Sequence, residues 1–500
     1  MKDKVDCLFL FSPGSDTGGS NFDYHLGSSY LISYLNSEGF HTRQYISRGP
    51  AGLKECIKMI LAHNIRIAGF TVYDSNFGIS ASIAEEIRKI SPPTLIIFGG
   101  PCPSVHFEFI MSRYQFIDAC FIHESEETFL QFISEFSQND YQYNNCDFSA
   151  INGLSYRNDG KVCYNPPDKN LRHRKGLTDD LDKYPSPYLS GNIPATEGYN
   201  TGILTARGCN QNCVYCNCAV LSNRCFSTHS VERVIAELDF ISKVNDPIKA
   251  LTIQDDAFTL IPQRAQEICK AIIDNKIKVR LGCITRCDCV NEDILDLMKE
   301  AGFVSIAFSL ESVNPETLRR IGKVHVAEDN PTHSLEKEVK FIENFESMTA
   351  YAKKIGMENI TASIMAGLPY ETIRDAKRTV KAIESNIYID NYAHNYLKIF
   401  KGTPLFGNYK KYGYKIRYRN NNPVYPEIIY PVDVAGKVPV APKSNLHADK
   451  EFNNKNTLKI LSLTYKERNP KSVFSNIILQ ADDVQERFVM WIKDILSING

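Results

Sequence analysis

Short apolar runs alternate with amphipathic helical patterns along the first 140 residues. The runs that predict strands are Val5–Phe11, Ile65–Val72, Thr94–Phe98 and Ala119–Ile122, and a further strand is predicted near Arg43–Ile46. Between them, apolar residues at helical spacing predict helices over Leu26–Asn36, Leu53–Leu61, Ile79–Ile90 and Thr128–Phe136. Continuous apolar strands that alternate with helices are typical of a parallel sheet covered on both faces. We therefore predict an N-terminal doubly wound, Rossmann-like sheet.

The same alternation resumes after a stretch rich in turn-forming residues. Residues 141–195 contain Asn-Gly, Asp-Gly and Pro-Pro pairs and predict a linker with a hairpin near Leu154–Tyr164. Six further strands are predicted at Thr201–Ala206, Leu251–Gln254, Val279–Ile284, Val304–Ser309, Ile360–Met365 and Asn395–Phe400. Six β/α repeats predict a partial barrel, in which the chemistry lies at the C-terminal ends of the strands.

These patterns divide an α/β chain into four parts. We predict a Rossmann-like domain over 1–140, a linker over 141–195, a partial (β/α)6 barrel over 196–407 and an extension over 408–500. The extension breaks the alternation with several prolines and ends in helical pieces at Trp491–Leu496, so we expect it to be α-rich. A length of 500 residues fits about three domains.

Composition and charge exclude several classes of protein. With 43% hydrophobic and 23% charged residues the chain is globular, and a net charge of −1 gives no overall field that would attract DNA. We find no apolar run of the roughly 20 residues needed to cross a bilayer and no leader, so we expect a cytoplasmic protein without a membrane span. This nearly neutral net charge is an average over parts of the chain that differ in charge. Residues 1–150 carry 10 Lys/Arg against 17 Asp/Glu, whereas residues 401–500 carry 16 against 9.

The basic surplus includes a segment in which cations and tyrosines are interleaved. Residues 401–419 hold six Lys or Arg, no acid, and Tyr409, Tyr412, Tyr414 and Tyr418. Such a segment can stack on RNA or clamp an acidic peptide, and it can equally form a solvated edge, the interpretation that we favour.

The fifteen cysteines are clustered, and in a reducing compartment clustered cysteines indicate metal before disulfide. Cys209, Cys213 and Cys216 follow the first predicted barrel strand with the spacing Cys-x3-Cys-x2-Cys. Three thiolates on one loop can hold three irons of a 4Fe–4S cluster and leave the fourth iron open. The alternatives are a zinc site completed by Cys218 or Cys225, or buried thiols without a metal.

Two other features near a strand end allow more than one interpretation. Arg286 follows a barrel strand, where it could clamp an anionic group of a cofactor or form a surface salt bridge. Cys283, Cys287 and Cys289 lie near the same strand end. They could form a second site for a soft metal, although we favour small core or rim residues.

The cysteine loop resembles that of the radical S-adenosylmethionine (SAM) superfamily, which also carries an aromatic residue, here Tyr215, before the last cysteine. Other stretches that resemble the family are 251–258, with Asp-Asp-x-Phe, 308–312, with x-x-x-Glu-Ser, 366–372, with Gly-Leu-Pro-x-Glu-Thr, and 402–405, with Gly-Thr-Pro-Leu. Phe308 and Tyr370 replace glycines of the family pattern. The resemblance implies that the three cysteines bind the cluster and that SAM chelates its open iron.

The predicted contacts with SAM follow from the resemblance, with Arg286 added from its position. These residues are Tyr215, Gln254, Asp255, Arg286, Ser309, Glu311, Gly367 and Pro369. The resemblance implies that the stretch 251–258 lies near the amino group of the methionine part of SAM. It implies that Glu311 contacts the ribose or the amino group of SAM, and that the loop 366–372 lies near the adenine.

The N-terminal part resembles the cobalamin-binding domain that precedes the barrel in one branch of the superfamily. The stretches that carry this resemblance are 26–35, 71–76, 99–104 and 124–128. Glycine-rich strand ends leave room for a flat macrocycle and offer backbone N–H groups to it. The residues implied in cobalamin binding are His25, Gly27, Tyr73, Ser75, Gly99, Gly100, Pro101 and Glu124.

His25 has two interpretations. In Asp23-Tyr24-His25-Leu26-Gly27 it comes close to the cobalt-ligating Asp-x-His-x-x-Gly pattern, but its glycine is one residue early. It could be an axial ligand, and we favour a loop histidine with no protein ligand on cobalt. The domain also departs from the family where Cys102 replaces a His and His123 replaces a Gly.

The resemblance implies an enzyme that cleaves SAM reductively to a 5′-deoxyadenosyl radical and modifies an unactivated carbon. C-methylation of a natural product or peptide is the leading expectation, with electrons from a flavodoxin or ferredoxin. The alternatives are a radical cyclase or rearrangement enzyme, a tRNA or protein methylthiotransferase, and an iron–sulfur or corrinoid carrier without catalysis. The methylthiotransferase ranks low because Cys7, Cys56, Cys102 and Cys120 are widely spaced.

Overall fold

The structure of the chain is a computed structural model. It describes residues 5–12, 24–46, 49–63, 65–167, 177–178, 180–193, 202–243, 250–324, 326–329, 333–418, 423–424 and 426–429. The predicted helical pieces at Trp491–Leu496 and most of the predicted C-terminal extension lie outside these residues. Within the described part, no helix is both long and apolar enough to cross a membrane.

The first sheet has seven strands in the order β2-β1-β3-β4-β5-β6-β7, and the first five run parallel. The strands are β1 Cys7–Phe11, β2 Thr42–Ile46, β3 Ile67–Thr71, β4 Leu95–Gly99, β5 Ala119–Phe121, β6 Leu154–Asn158 and β7 Lys161–Asn165. The helices between them are α1 Leu26–Ser37, α2 Gly49–His63, α3 Phe77–Ile90, α4 Pro101–Arg113 and α5 Glu126–Gln138. All five residues of β1 are buried, as expected where helices cover both faces of a sheet.

The predicted hairpin near Leu154–Tyr164 exists as β6 and β7. It continues the first sheet, because β6 pairs antiparallel with β5 and β7 pairs antiparallel with β6. A small sheet follows, formed by β8 Leu177–Thr178, β10 Ala206–Arg207 and β11 Phe226–Thr228.

The second large sheet has six parallel strands in the order β16-β15-β14-β13-β12-β9, the arrangement of a partial barrel. Its strands are β9 Gly202–Ile203, β12 Leu251–Ile253, β13 Leu281–Thr285, β14 Phe303–Glu311, β15 Asn359–Ala366 and β16 Asn391–Tyr396. Its helices are α6 Cys218–Leu221, α7 Val231–Ser242, α8 Pro262–Asp274, α9 Glu292–Glu300, α10 Pro315–Arg320, α11 Glu336–Lys354 and α12 Ile373–Ser385. Helix α13, Pro404–Asn408, and a hairpin of β17 Lys415–Tyr418 and β18 Pro426–Ile429 follow.

The last barrel strand begins four residues earlier than predicted. It covers Asn391–Tyr396, and Thr361 to Ala366 of β15 pair with it in continuous register. Residues 395–400 are more apolar than the strand itself, and Leu397 and Ile399 are fully buried, yet both lie beyond the strand. Strand β16 itself carries polar residues, because the side chains on one of its faces point into the open barrel.

The inner face of the barrel follows from the packing of β14. Phe308 contacts Phe345 of α11, so Ala307 and Ser309 point to the opposite side. In a parallel sheet, residues that pair across neighbouring strands point to the same side, so the partners of Ala307 and Ser309 also point into the barrel. We call these residues the inner face: Ile284, Ala307, Ser309, Thr361, Ser363, Met365, Ala393 and Asn395.

Candidate active site

The cysteine loop lies between β10 and α6. It begins at Gly208, whose φ of +91° is in the left-handed region, and a Cβ on this residue would come within 2.2 Å of the Cys225 carbonyl oxygen. Only glycine fits such a position without moving the backbone. The tight turn directs the following residues toward the C-terminal end of the barrel strands.

The three predicted cluster ligands are half-buried free thiols on this loop. Burial raises the pKa of Cys209 to about 11, and the thiol of Cys216 has its pKa lowered to about 7 by a hydrogen bond with Cys218. Across the described part of the chain no group of three or more His, Cys, Asp or Glu could surround a single metal ion. A four-iron cluster requires a wider arrangement, since each thiolate binds a different iron.

Backbone hydrogen bonds hold the middle of the loop from two sides. The N–H of Val214 donates to the carbonyl of Ile321, and the carbonyl of Val214 accepts from the N–H of Leu405, each at 2.9 Å. The loop is therefore fixed between the end of α10 and the beginning of α13, which positions Cys213 next to the barrel.

Glu311 and Ser309 lie at the end of β14, as predicted, and they share a partner that sequence reasoning missed. The ammonium of Lys323 donates to Glu311 Oε1 at 3.0 Å and to Ser309 Oγ at 3.1 Å. Tyr215 is near this group: its pKa is raised well above the usual value, first by burial and then by the charge of Glu311. No local motif marks Lys323, because it follows α10 and reaches the site only through the fold.

Asp255 is buried behind the loop. Its Oδ1 accepts hydrogen bonds from the N–H groups of Thr205 (2.7 Å) and Ala206 (3.1 Å), and its Oδ2 from the hydroxyl of Thr205 (2.5 Å). Burial raises the pKa of Asp255 to about 6. These bonds fix the segment that leads into β10. Gln254 lies against Gly202, where a Cβ would come within 2.2 Å of its amide nitrogen.

Arg286 is buried and paired. Its guanidinium donates to both carboxylate oxygens of Asp288, at 2.9 and 2.7 Å, and lies 5.6 Å from the ring centre of Phe341. The salt bridge considered from the sequence is therefore present, but it is not on the surface. Cys283 and Cys287 are buried and Cys289 is half-buried.

The loop after β15 contains the predicted Gly367 and Pro369. Glu371 closes it: Oε2 accepts from the N–H groups of Gly367 at 2.8 Å and Leu368 at 3.2 Å. Burial raises the pKa of Glu371 to about 8. Its other oxygen, Oε1, is buried without a partner, and Tyr414 donates its hydroxyl to the Gly367 carbonyl at 2.9 Å.

In the N-terminal domain, His25 is the N-cap residue of helix α1. Its Nδ1 accepts from the N–H of Ser28 at 3.1 Å, and its Nε2 lies 3.1 Å from the hydroxyl oxygen of Tyr73. Burial lowers the pKa of His25 to about 4, so the ring is neutral at pH 7. Because Nδ1 accepts, Nε2 carries the proton and donates to Tyr73. Both nitrogens are thus engaged within the protein. Gly27 follows in the first turn, where a Cβ would meet the His25 ring at 3.1 Å.

The other predicted cobalamin residues lie at the C-terminal edge of the first sheet, after β3, β4 and β5. Gly100 has a φ of +97° and lies so close to β3 that a Cβ would meet the Val72 carbonyl at 3.1 Å. It follows Gly99 and precedes Pro101, the first residue of α4. The hydroxyl of Ser75 at this edge is buried without a partner. Glu124 follows β5.

The edge of the first sheet and the cysteine loop contact each other directly. Arg207, two residues before the first cysteine, donates to Glu126 of α5 at 2.7 Å and lies 3.8 Å from Glu124. Nearby, His123 Nδ1 lies 3.0 Å from the Leu221 carbonyl, just after the cluster loop. Neither Arg207 nor Glu126 was predicted as a site residue, because nothing local to either indicates that they meet.

The residues present could hold the three cofactors that the resemblance implies, a 4Fe–4S cluster, SAM and cobalamin. Three thiols on a glycine-initiated loop suit a 4Fe–4S cluster, and the unpartnered Glu371 Oε1 lies in the loop expected near SAM. The unpartnered Ser75 hydroxyl lies at the glycine-rich edge expected to hold cobalamin, whose amide fringe would supply a hydrogen-bond partner.

Comparisons with known proteins also divide the chain into a B12-binding part and a radical SAM part. The model of the radical SAM superfamily matches residues 203–383, and the model of the B12 binding domain matches residues 21–133. The chain is thus a radical SAM enzyme that carries a B12-binding domain ahead of its barrel. More particularly, it belongs to the cobalamin-dependent radical SAM enzymes, whose relatives include several methyltransferases.

Among curated proteins, the chain is 28% identical over 362 residues to an uncharacterised methyltransferase of Pyrococcus horikoshii, covering 71% of this chain and 72% of the relative. It is 22% identical to the cytidylyl-2-hydroxyethylphosphonate methyltransferase of Streptomyces wedmorensis, over 77% and 76% of the two chains. It is also 25% identical to the anaerobic magnesium-protoporphyrin IX monomethyl ester cyclase of Synechocystis, over 55% and 54%.

Two solved structures share the fold. The radical SAM methyltransferase TsrM from Kitasatospora setae, with cobalamin and a 4Fe–4S cluster bound, has a TM-score of 0.63 and 16% identity, over 87% of this chain and 80% of TsrM. OxsB, with aqua-cobalamin and SAM bound, has a TM-score of 0.64 and 16% identity, over 86% of this chain and 65% of OxsB. The predicted α/β architecture of a Rossmann-like sheet followed by a partial barrel is confirmed.

Proposed function

We propose that the chain is a methyltransferase that transfers a methyl group to an unactivated carbon of a natural product or peptide. The observation that carries this proposal is the contact between the two cofactor regions, where Arg207 beside the cysteine loop binds Glu126 beside the glycine-rich edge. A reaction that uses both cofactors requires them to face one substrate. The cluster with SAM would supply hydrogen abstraction, and cobalamin would supply the methyl group.

This chain's own residues have the following roles in the proposal. Cys209, Cys213 and Cys216 hold the cluster. Glu311 with Ser309, and the loop of Gly367 and Pro369, would position SAM. The edge formed by Tyr73, Ser75, Gly99, Gly100, Pro101 and Glu124 would hold cobalamin. We keep the four parts that the sequence predicts, except that the hairpin of the predicted linker belongs to the first sheet, so the first domain extends beyond residue 140.

The inner face indicates which part of a substrate enters the barrel. Its eight residues are uncharged, and they combine hydroxyl and amide groups with Ile284 and Met365. Since burying an unpaired charge is costly, we infer that the reacting part of the substrate is uncharged and has a few hydrogen-bonding groups. We further propose reduction by a flavodoxin or ferredoxin and a cytoplasmic location, which the fifteen free cysteines support.

Anaerobic reconstitution tests the proposal. The protein is loaded with iron, sulfide and cobalamin, reduced with dithionite, supplied with SAM, and assayed for 5′-deoxyadenosine and retained corrinoid, with Cys213→Ala as the control variant. We expect wild type to retain corrinoid and to form 5′-deoxyadenosine, and Cys213→Ala to lose cluster absorbance and cleavage. Absence of 5′-deoxyadenosine with every substrate tried would refute the radical reaction. Cleavage without retained corrinoid would instead favour a cyclase, the activity of the Synechocystis relative.

A further inference from the structure

A buried lysine connects the cysteine loop to the end of strand β14. The side chain of Lys323 is 4% exposed, and its ammonium donates to Glu311 and Ser309. Its backbone is fixed by the loop: Ile321 accepts from the N–H of Val214, and a Cβ on Gly322 would come within 3.0 Å of the Asn212 carbonyl. The two residues before Lys323 are thus held against the cluster loop, and the ammonium of Lys323 is held by the strand.

Glu311 needs such a partner. Its φ is +70°, in the left-handed region, and the pairing of β14 with β15 shifts register between Ser309 and Glu311. A non-glycine residue is strained in this conformation, so it persists only where the surroundings hold it. The 3.0 Å ion pair with Lys323 holds the carboxylate in place, together with a hydrogen bond from Tyr215.

The same ammonium belongs to a segment that packs on Asn212 and Val214, the two neighbours of Cys213 along the loop, and its charge acts on Cys213. Burial lowers the pKa of Lys323, but the charges of Glu311 and Cys213 outweigh it, so the pKa is raised overall and the lysine stays charged. Arg286 is a second buried cation whose charge acts on Cys213. In a low-dielectric site a fixed positive charge stabilises the more negative, reduced state of a cluster.

We propose that Lys323 is a positioning residue with two linked effects: it fixes Glu311 for contact with SAM, and it raises the reduction potential of the cluster. The inference rests on the proposed function only in requiring that the three cysteines bind a cluster and that SAM binds beside it.

The test compares Lys323→Met with Lys323→Arg, which keeps the charge, in the reconstituted full-length protein. Iron content, the midpoint potential from a redox titration followed by electron paramagnetic resonance, and the Kd for SAM from equilibrium dialysis are measured without turnover. We expect Lys323→Met to keep its iron, to show a more negative potential, and to bind SAM at least tenfold more weakly. Lys323→Arg should stay close to wild type in potential.

Lys323→Met leaves Glu311 as an unpaired buried charge, so a double variant with Glu311→Gln guards against failure to fold. We expect the double variant to regain stability, to bind SAM weakly, and to have a potential between those of wild type and Lys323→Met. Wild-type potential and Kd in Lys323→Met, or in the double variant if the single one does not fold, would overturn the inference. A wild-type protein that takes up no cluster would refute the proposed function instead.

Discussion

The guanidinium of Arg207 donates a 2.7 Å hydrogen bond to the carboxylate of Glu126, joining the strand before the cysteine loop to helix α5 of the first sheet. Both side chains are mostly buried, and Arg207 also lies 5.2 Å from the ring centre of Tyr30 in α1. This ion pair is therefore part of the interface between the two halves of the site.

We expect Glu126→Gln to lower the free energy of unfolding by about 3 kcal/mol, because it leaves a buried guanidinium without its nearest carboxylate. Urea unfolding measures the change. Glu358→Gln is the matched control, since Arg280 and Glu358 form a pair that is far more exposed, and its loss should cost less than about 1 kcal/mol. Equal losses in the two variants would show that the Arg207 pair has no special role in the interface.

Replacement of Gly208 should abolish the cluster. Gly208→Ala places a methyl group 2.2 Å from the Cys225 carbonyl and strains a φ of +91°, so the cysteine loop must move. Gly39→Ala is the control, because Gly39 has a φ of +90° with nothing within 4 Å of its Cβ position. Iron content after reconstitution should fall severalfold in Gly208→Ala and stay unchanged in Gly39→Ala. Full iron content in Gly208→Ala would contradict the close approach in the structure.

Glu371 should make stability fall as the pH rises from about 4.5 to about 8. Its folded pKa is about 8, above the usual value of a carboxyl group, so the folded state binds a proton that the unfolded state has released. The stabilising effect is complete below the unfolded pKa of 4.5, declines steadily as the pH rises above that value, and is lost once the pH has passed about 8. Between pH 6 and 9 wild type should lose about 2 kcal/mol relative to Glu371→Gln, which cannot ionise. Urea unfolding across that range measures it, and parallel pH profiles would exclude the effect.

His25 is expected not to ligate cobalt, because Nδ1 caps α1 and Nε2 donates to Tyr73. His25→Asn can keep the cap through its side-chain oxygen but has no equivalent of Nε2. Its visible spectrum with bound cobalamin should match wild type, and its stability should exceed that of His25→Ala by about 1 kcal/mol. A spectral shift of the bound corrinoid in His25→Asn would indicate that His25 reaches the metal.

Much of the architecture was predictable because it is local. Apolar runs predicted four of the five parallel strands of the first sheet, and the spacing of Cys209, Cys213 and Cys216 fits within one loop whose turn requires Gly208. The prediction was wrong for the position of the last barrel strand, because polar residues such as Asn391 and Asn395 interrupt β16 and leave it without an apolar run.

The sequence by itself determined which short segments carry the chemistry, since a strand, a glycine turn or a cysteine loop depends on neighbours along the chain. The tertiary structure decided how these segments meet. Arg207 and Glu126 are 81 residues apart, and His25 and Tyr73 are 48 apart. Lys323 reaches Glu311 only because the chain after β14 forms α10 and then packs on the cysteine loop. Such pairs depend on strand register and on the docking of one sheet against the other, which spacing along a sequence does not specify.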